Sequence, residues 1–327
     1  MMKAVRCHVR GGPEALVYED APVPQPKAGD VIVRVHAAAI TPTELTWNST
    51  WSNSDGKDRR PIVPGFEVSG VIDSIGRDVS GVKKGESVYG LLNFWRDGAA
   101  AEYVAARAAD LAPKPKSLDH VHAAAVPLSG LTAWQAFFDH ANLSAGDRVL
   151  IHGAAGGVGT WAVQFAHWRG AYTIGTGSQS NYAFLRGLGA DEVLDYTSAH
   201  FEDKFRDVDI VLDTVGGETL DRSWGILRKG GVLVTVAGDA PEEKAAKYGV
   251  RGVSMLVQPS RDQLNQIGQL IDAGIVRPIV EEIYPLAHAR EAYERGLLGH
   301  NRGKLVMQVF FDSTSPRNSR TTNSSGL

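Results

Sequence analysis

A glycine-rich turn near the middle of the chain is the segment best suited to chemistry. It begins with the apolar pair Leu150-Ile, continues as Gly153-Ala-Ala-Gly-Gly-Val-Gly, and leads into a segment typical of a helix. Glycine lets a backbone approach a diphosphate without a Cβ clash, and the amides at the start of a helix point at phosphate charge. The sequence therefore predicts a dinucleotide-binding loop, with an ordinary strand-to-helix turn as the alternative. The candidate cofactor-binding residues of this loop are Ala154, Ala155, Gly156, Gly157, Val158 and Gly159, with alanine in place of the first fingerprint glycine.

The segment after the next predicted strand indicates which dinucleotide binds. An NAD site has a carboxylate there, about 20 residues beyond the loop, which binds the ribose hydroxyls. Here no acid occurs from Gly175 until Asp191, but Ser178 and Asn181 offer hydrogen-bond donors, and Tyr196 ends the third predicted strand. We therefore expect NADPH, with these last three residues near its 2'-phosphate. The loop contains no Lys or Arg, so the neutralising charge has to come from elsewhere, and helix N-capping is the structural alternative for Ser178 and Asn181.

Other candidate cofactor contacts follow from the ends of the predicted strands. In open α/β sheets, ligands lie at the carboxyl ends of the strands. This rule selects residues after the fourth and fifth strands, and two more candidates lie at a predicted helix start and near the C-terminus. They are Thr214, Val215, Ala237, Gly238, Thr132 and Lys304. An ordinary turn or packing role is the alternative for each.

The elements that have to position these residues follow an α/β pattern. Residues 3 to 112 are rich in short strand-like runs broken by Gly and Pro, which indicates a β-rich domain. After Pro115, apolar strands alternate with helical segments, as in a parallel sheet with crossover helices. The six predicted strands begin near Val149, Ala171, Glu192, Asp209, Val232 and Gly252. A helix over about 260–273 then leads to two more strands that rejoin the first domain.

The predicted fold is a Rossmann-type doubly wound parallel sheet inserted in a β-rich domain. We assign residues 1–121 and 263–312 to the split β-rich domain and residues 122–262 to the NADP-binding domain. Residues 313–327 are polar and contain almost nothing to bury, so we predict a disordered tail there.

Composition argues against several classes of protein. The 327 residues are 43% hydrophobic and carry a net charge of −3, with the basic residues scattered along the chain. This pattern is a poor match to a nucleic-acid-binding surface. No apolar stretch approaches about 18 residues, so we expect neither a membrane span nor a secretion signal. Cys7 is the single cysteine, which suits a reducing compartment, and we predict a cytoplasmic protein.

Several local strings agree, in order, with one known family. They are Pro64-Gly-Phe-Glu-Val-Ser-Gly, Gly130-Leu-Thr-Ala-Trp, the glycine loop, Leu188-Gly-Ala-Asp, Asp213-Thr-Val-Gly-Gly and Arg302-Gly-Lys-Leu-Val. Over residues 3 to 311 the chain resembles the quinone oxidoreductase (zeta-crystallin-like) branch of the medium-chain dehydrogenase/reductase superfamily. The resemblance implies a split, GroES-like catalytic domain, a cofactor cleft between the domains, and hydride transfer to quinones or α,β-unsaturated carbonyls. It also implies a homodimer joined through the sixth strand, over Gly252 to Gln258.

The same strings predict an enzyme that works without zinc. Zinc-dependent members of the superfamily have a histidine where this chain has Phe66, and the cysteines that they use are missing after Tyr89. Without a Lewis acid, the acceptor carbon has to be electrophilic already. A conjugated enone or a quinone meets that need, because negative charge develops on its carbonyl oxygen and hydrogen-bond donors suffice there.

The candidate substrate pocket begins at Ala39-Ile-Thr-Pro-Thr-Glu, where many relatives have Asn-Pro-x-Asp. In this chain Thr41 replaces the asparagine and Glu44 replaces the aspartate. We expect Thr41 to contact substrate or nicotinamide, with a turn role before Pro42 as the alternative, and Glu44 to be either a structural carboxylate or a general acid. The predicted aromatic wall for a flat substrate consists of Trp47, Trp51, Phe94 and Trp95, with core packing as the alternative.

Two other functions fit the same sequence. One is an enoyl-thioester reductase of a biosynthetic pathway, which needs a longer substrate channel. The other is an NADPH-binding module whose catalysis has lapsed. A short-chain dehydrogenase is disfavoured, because the chain has no Tyr-x-x-x-Lys pair and its glycine loop lies mid-chain.

Overall fold

Two large sheets organise the chain, and they correspond to the two kinds of pattern in its sequence. The structure is a computed structural model that describes residues 1–310, so the tail predicted over 313–327 lies outside the described residues. The strands are β1 (Met2–Cys7), β2 (Leu16–Ala21), β3 (Asp30–Ile40), β4 (Glu67–Ile75), β5 (Ser87–Leu91), β6 (Tyr103–Arg107), β7 (Leu111–Pro113), β8 (Arg148–Ile151), β9 (Tyr172–Thr176), β10 (Glu192–Leu194), β11 (Val208–Asp213), β12 (Leu227–Thr235), β13 (Arg251–Ser254), β14 (Val280–Pro285) and β15 (Lys304–Gln308).

Helices cover the parallel sheet and connect it to the β-rich part. They are α1 (Asn48–Trp51), α2 (His120–Ala124), α3 (Pro127–Trp134), α4 (Gly157–Arg169), α5 (Tyr182–Gly187), α6 (Phe201–Lys204), α7 (Gly217–Ser223), α8 (Glu242–Tyr248), α9 (Arg261–Asp272) and α10 (Ala289–Leu297). A π-helical stretch, Gln135–Ala141, continues α3. None of the helices in residues 1–310 is long and apolar enough to cross a membrane.

The second half of the chain forms a six-stranded parallel sheet in the order β10-β9-β8-β11-β12-β13. All six strands predicted from the sequence are present. The central strands are apolar because helices cover both faces of the sheet: Val149, Leu150 and Ile151 of β8 are completely buried. The strand order is that of a doubly wound dinucleotide fold, so the predicted fold class is confirmed.

The first part of the chain and its C-terminal segment share a second sheet. Its order is β14-β15-β3-β4-β5-β7, with β6 paired to β3. Strand β15 is antiparallel to β3, with Leu305 opposite Ile40, so the end of the described chain returns to the domain where the chain began. This pairing explains why the Lys304-Leu-Val-Met-Gln run is apolar: Leu305, Val306 and Met307 are buried between the neighbouring strands and helices.

Candidate active site

A cleft of about 960 Å³ lies at the carboxyl ends of the parallel strands. From β8 the sheet extends one way through β9 and β10, and from β11 it extends the other way through β12 and β13. Such a reversal leaves a crevice between the two central strands, where open α/β sheets bind their ligands. Gly153, Gly156 and Thr214 line the cleft at this place, and Ile40 and Thr41 line it from the β-rich domain.

Helix α4 begins at the glycine loop, on the wall of the cleft. Gly156 is the N-cap of α4 and has no side-chain capping bond, and the amide of Thr160 donates to the carbonyl of Gly156 at 3.0 Å. The amides before Thr160 therefore have no partner within the helix, which is the arrangement that binds phosphate. A Cβ on Gly156 would meet only the Gly153 carbonyl, at 3.4 Å, whereas a Cβ on Gly159 would lie 2.2 Å from that same oxygen. Packing of the loop thus requires glycine at 159, and the space over Gly156 is open to a ligand.

The tripeptide Arg302-Gly303-Lys304 attaches the C-terminal segment to this loop. Gly303 donates its amide to the carbonyl of Ala155 at 2.9 Å and forms a bridge with Gly156. Gly303 has a φ of +72°, and a Cβ there would lie 2.2 Å from the carbonyl oxygen of Ile279, so only glycine fits. Lys304 is therefore held at a fixed position on the cleft wall, and Arg302 at a fixed position beside the cleft.

Arg302 contacts the loop that follows β9. Its Nε donates to Oδ1 of Asn181 at 2.7 Å, and its Nη2 donates to the carbonyl of Ser180 at 2.7 Å. Ser178 and Asn181 both line the cleft, and neither makes a side-chain capping bond, so the capping alternative for these residues is not realised. Within residues 1–310, no carboxylate lies within ion-pair distance of the Arg302 guanidinium. The Arg302 guanidinium thus places a positive charge beside the loop after β9, which contains no Lys or Arg itself.

Lys304 contacts the first segment of the predicted substrate pocket. Its Nζ lies 3.1 Å from Oγ1 of Thr41 and forms an ion pair with Glu67. Both charged side chains are almost fully buried, at 6% and 1% exposed. The other oxygen of Glu67 accepts the amide of Leu128 at 3.0 Å, which fixes the carboxylate in place.

Phe66 packs against two aromatic residues of the predicted substrate wall. The ring of Phe66 is 6.2 Å from that of Trp47 and 5.2 Å from that of Phe94, and Trp47 and Phe94 line the cleft. Phe66 itself is 1% exposed. The position at which zinc-dependent relatives have a histidine therefore belongs to a packed apolar cluster.

Two tryptophans of the predicted wall lie elsewhere, and their assignment to the substrate pocket is corrected. Trp51 is buried, and its indole N–H donates to the carbonyl of Leu45 at 2.8 Å, so it closes the turn that carries Thr41. Trp95 is 42% exposed and is not part of the cleft wall. The sequence pattern could not separate these roles, because all three tryptophans lie in irregular segments without a repeating inward face.

Glu44 is a buried structural carboxyl group rather than a group on the cleft wall. It is 1% exposed and accepts a hydrogen bond from the hydroxyl of Tyr293 on α10. Burial raises the pKa of Glu44 to about 8, and the nearby Glu67 adds to the rise. Of the two roles considered for this residue, the general acid is therefore wrong, since Glu44 does not reach the cleft.

The remaining predicted site residues divide into those on the cleft wall and those behind it. The wall contains Thr132, Ala155, Gly156, Gly157, Val158, Tyr196, Thr214, Val215, Ala237 and Lys304. Behind it lie Ala154, which is fully buried, Gly159 under the loop, and Gly238 one residue beyond the wall. Two wall hydroxyls are already used as donors within the protein: Thr132 donates to the carbonyl of Leu128 and Thr214 to that of His152.

Sequence reasoning missed several side chains of the cleft. Ser129 lines it one helical turn before Thr132, with no hydrogen bond from its hydroxyl to any described residue. His152 also lines it, and burial lowers its pKa to about 4, so the ring is neutral. Arg302 lies beside it, within the Arg302-Gly-Lys-Leu-Val string of the family resemblance. The i, i+3 spacing to Thr132 was a usable signal for Ser129, whereas nothing local in the sequence joins Arg302 to Asn181.

The fold and the cleft define a dinucleotide-dependent oxidoreductase with a split catalytic domain, and comparisons with known proteins agree. Residues 27–116 match the alcohol dehydrogenase GroES-like domain, and residues 188–307 match the zinc-binding dehydrogenase family. The mouse (Mus musculus) quinone oxidoreductase is 32% identical, over 94% of this chain and 98% of the relative. The mitochondrial NAD(P)H oxidoreductase RTN4IP1 of Danio rerio is also 32% identical, over 86% of this chain and 84% of the relative. The solved quinone oxidoreductase of Coxiella burnetii superposes with a TM-score of 0.87 at 32% identity, covering 94% of this chain and 99% of that one.

The chain belongs to the medium-chain dehydrogenase/reductase superfamily, in its quinone oxidoreductase branch. It is thus an oxidoreductase that uses a nicotinamide cofactor. RTN4IP1 is mitochondrial by name, so the cytoplasmic location predicted from the sequence stays a prediction.

Proposed function

We propose that this protein is an NADPH-dependent reductase that delivers hydride to a quinone or an α,β-unsaturated carbonyl without zinc. The observation that carries the proposal is the Arg302-Gly303-Lys304 tripeptide. Its glycine is hydrogen-bonded to the glycine loop, its arginine contacts the loop after β9 beside the end of the cleft suited to a ribose, and its lysine contacts Thr41 at the end suited to a substrate. A reduced nicotinamide bound in this cleft supplies two electrons and a proton as hydride. The protein's own residues bind, orient and exclude water.

The choice of NADPH over NADH rests on charge at the loop after β9. The stretch from Gly175 lacks the carboxylate that an NAD site needs, and Ser178 and Asn181 offer short polar side chains. Arg302 adds the missing positive charge, because its guanidinium is hydrogen-bonded to Asn181 and Ser180 and keeps donors for a further acceptor. Charge-assisted bonds from arginine to phosphate are among the stronger polar contacts in proteins.

Replacing Arg302 with glutamine tests this assignment. We expect NADPH affinity to fall about 10- to 100-fold, since a hydrogen bond to a charged group is lost, with NADH affinity unchanged. Arg186→Gln is the matched control: Arg186 lies in the last turn of α5, is exposed, and has no ion pair among the described residues. Equal losses for both cofactors in Arg302→Gln, or the same loss in the control, would contradict the role of Arg302.

We propose that the reaction needs no zinc because of the residues at the substrate end of the cleft. Phe66 offers no ligand atom, and its ring packs against Trp47 and Phe94. A substrate that needs no Lewis acid suits this wall, because a flat conjugated acceptor can lie against aromatic rings. The named activities of the mouse and Coxiella burnetii relatives support the same class of acceptor.

Oxidation of NADPH by a panel of quinones, enals and enoyl thioesters, after dialysis against a chelator, tests the reaction. We expect turnover with quinones or short enals, undiminished by the chelator. Turnover confined to thioesters would favour the biosynthetic alternative. Cofactor binding without turnover of any acceptor would favour a lapsed enzyme.

We also propose a homodimer that joins two copies through β13. Within the described residues β13 pairs with β12 alone, so its other edge is open. Leu256, just after the strand, is 65% exposed. An open edge of this kind readily pairs with a second strand. Light scattering of the purified protein should give twice the mass of the chain, and a monomer would remove the proposal.

A further inference from the structure

The hydroxyl of Thr41 has a hydrogen that no described residue accepts. Its one hydrogen-bond partner in residues 1–310 is Nζ of Lys304, at 3.1 Å. Thr41 precedes the helical turn Pro42–Thr46 but makes no side-chain capping bond to it. Thr41 and Lys304 both line the cleft.

The chemistry of the pair fixes the direction of the bond. A lysine ammonium has three donors and no acceptor, so the oxygen of Thr41 has to accept from it. The single hydrogen of the hydroxyl is then left for another acceptor. Glu67, which is 1% exposed, forms an ion pair with the Lys304 ammonium and holds it beside the Thr41 hydroxyl. Hydrogen bonds in a chain also polarise one another, so an ammonium behind the hydroxyl makes it a stronger donor.

We propose that Thr41 donates a hydrogen bond to the carbonyl oxygen of the bound acceptor, and that Lys304 and Glu67 are positioning residues which set and polarise that donor. This proposal rests on the proposed function and adds the group that stabilises the developing oxyanion. The acceptor class follows from it: the substrate needs a carbonyl oxygen conjugated to the carbon that is reduced.

In an enone, the β carbon accepts hydride from the reduced cofactor, which is oxidised by two electrons. The π electrons of the Cα=Cβ bond form a new double bond between Cα and the carbonyl carbon. The π electrons of the C=O bond move onto the oxygen, which gives an enolate. Thr41 stabilises that oxygen while keeping its own proton, and water then protonates the α carbon. For a quinone, hydride adds to the ring carbon β to the carbonyl, and the carbonyl oxygen becomes an enolate that Thr41 stabilises and water protonates. A proton then leaves the carbon that received hydride and the second carbonyl oxygen takes one up through water, which gives the hydroquinone.

A bound phenol tests the donor without any turnover. 4-Nitrophenol absorbs visibly as the phenolate, and its oxyanion mimics the enolate oxygen, so titration of the complex reports the pKa of the bound phenol. We expect wild type to lower that pKa, Thr41→Val to raise it again by about one unit or more, and Thr41→Ser to stay near wild type. Thr46→Val is the control: it removes a hydroxyl from the same turn, one that donates only to the exposed carbonyl of Thr43. A wild-type complex with no lowered pKa, or with a lowering that survives in Thr41→Val, overturns the proposal.

Turnover gives an independent measurement. Thr41→Val should lower kcat about 10- to 100-fold while NADPH affinity stays unchanged, because the lost contact is to the oxyanion. Removing Lys304 alone would leave the buried charge of Glu67 without its ion-pair partner, so the neutral pair Lys304→Met/Glu67→Gln is the better variant. If Lys304 acts through Thr41, adding Thr41→Val to this pair should cost much less than it costs in wild type, and additive losses would contradict the coupling.

Failure of the two proposals can be told apart. If the protein lowers the pKa of the bound phenol but no quinone or enal supports oxidation of NADPH, it is not a quinone or enone reductase. The assignment of Thr41 as the donor then still stands. A protein that turns over quinones or enals equally well with valine at position 41 is a reductase in which Thr41 is not the donor.

Discussion

Replacing Gly159 with alanine would put a methyl group into space that the loop backbone already fills. The added Cβ would lie 2.2 Å from the carbonyl oxygen of Gly153 and 2.6 Å from Cα of Ala154, whereas ordinary contact begins at 3.4 Å. Both neighbours are backbone atoms, so no side-chain rotation relieves the overlap. The loop and the first turn of α4 have to separate by about an ångström, and overpacking of this size costs about 1–3 kcal/mol or more.

The matched control is Gly187→Ala at the end of α5. A Cβ there meets nothing within 4 Å, and its φ is not in the left-handed region, so alanine should be neutral or stabilise by up to about 1 kcal/mol. Urea unfolding followed by tryptophan fluorescence should place the midpoint of Gly159→Ala well below wild type and that of Gly187→Ala at or above it. NADPH affinity should fall in the first variant alone. Equal midpoints for the two variants would refute the view that helix-to-strand packing requires glycine at 159.

Three other perturbations test the cofactor loop and the buried carboxylate. Gly156→Ala should fold normally, since its Cβ meets only the Gly153 carbonyl at 3.4 Å, but should weaken NADPH binding about tenfold or more in a fluorescence titration; unchanged affinity would place the diphosphate elsewhere. Ser178→Asp should shift the ratio of NADPH to NADH affinity toward NADH, because a carboxylate repels the 2'-phosphate, and an unaltered ratio would show that the phosphate lies away from Ser178. Glu44 has a pKa raised by burial to about 8, so the folded state holds its proton more tightly than the unfolded state, and wild type should lose stability as the pH rises from about 5 to 8. Glu44→Gln lacks that loss, so its thermal midpoint should rise relative to wild type over this range, and a constant difference would contradict the raised pKa.

The regular parts of this fold are predictable because their causes are local. The parallel strands are short apolar runs between helical segments, and the glycine loop combines a buried strand, a turn and a helix start in adjacent residues. Gly156 and Gly159 differ in what they tolerate, yet both positions follow from one fingerprint. The Arg302-Gly-Lys string is recognisable as part of the family resemblance, because its residues are adjacent.

The contacts that complete the cleft are not local, and sequence patterns miss them for that reason. Arg302 and Asn181 lie 121 positions apart and meet only because β15 pairs with β3 while Gly303 binds the glycine loop. Trp51 could not be distinguished from Trp47, since the difference is an indole hydrogen bond to Leu45 within an irregular turn. The burial of Glu44 likewise depends on Tyr293, from a helix near the other end of the chain.

Calorimetric titration of the wild-type protein with NADPH and with NADH tests the cofactor assignment most directly. We expect heat of association for both cofactors, with NADPH bound more tightly, because Arg302 stands beside the loop that would hold the 2'-phosphate. If neither NADPH nor NADH gave heat of association, dinucleotide binding at the glycine loop would be contradicted. Tighter binding of NADH than of NADPH would contradict the role given to Arg302.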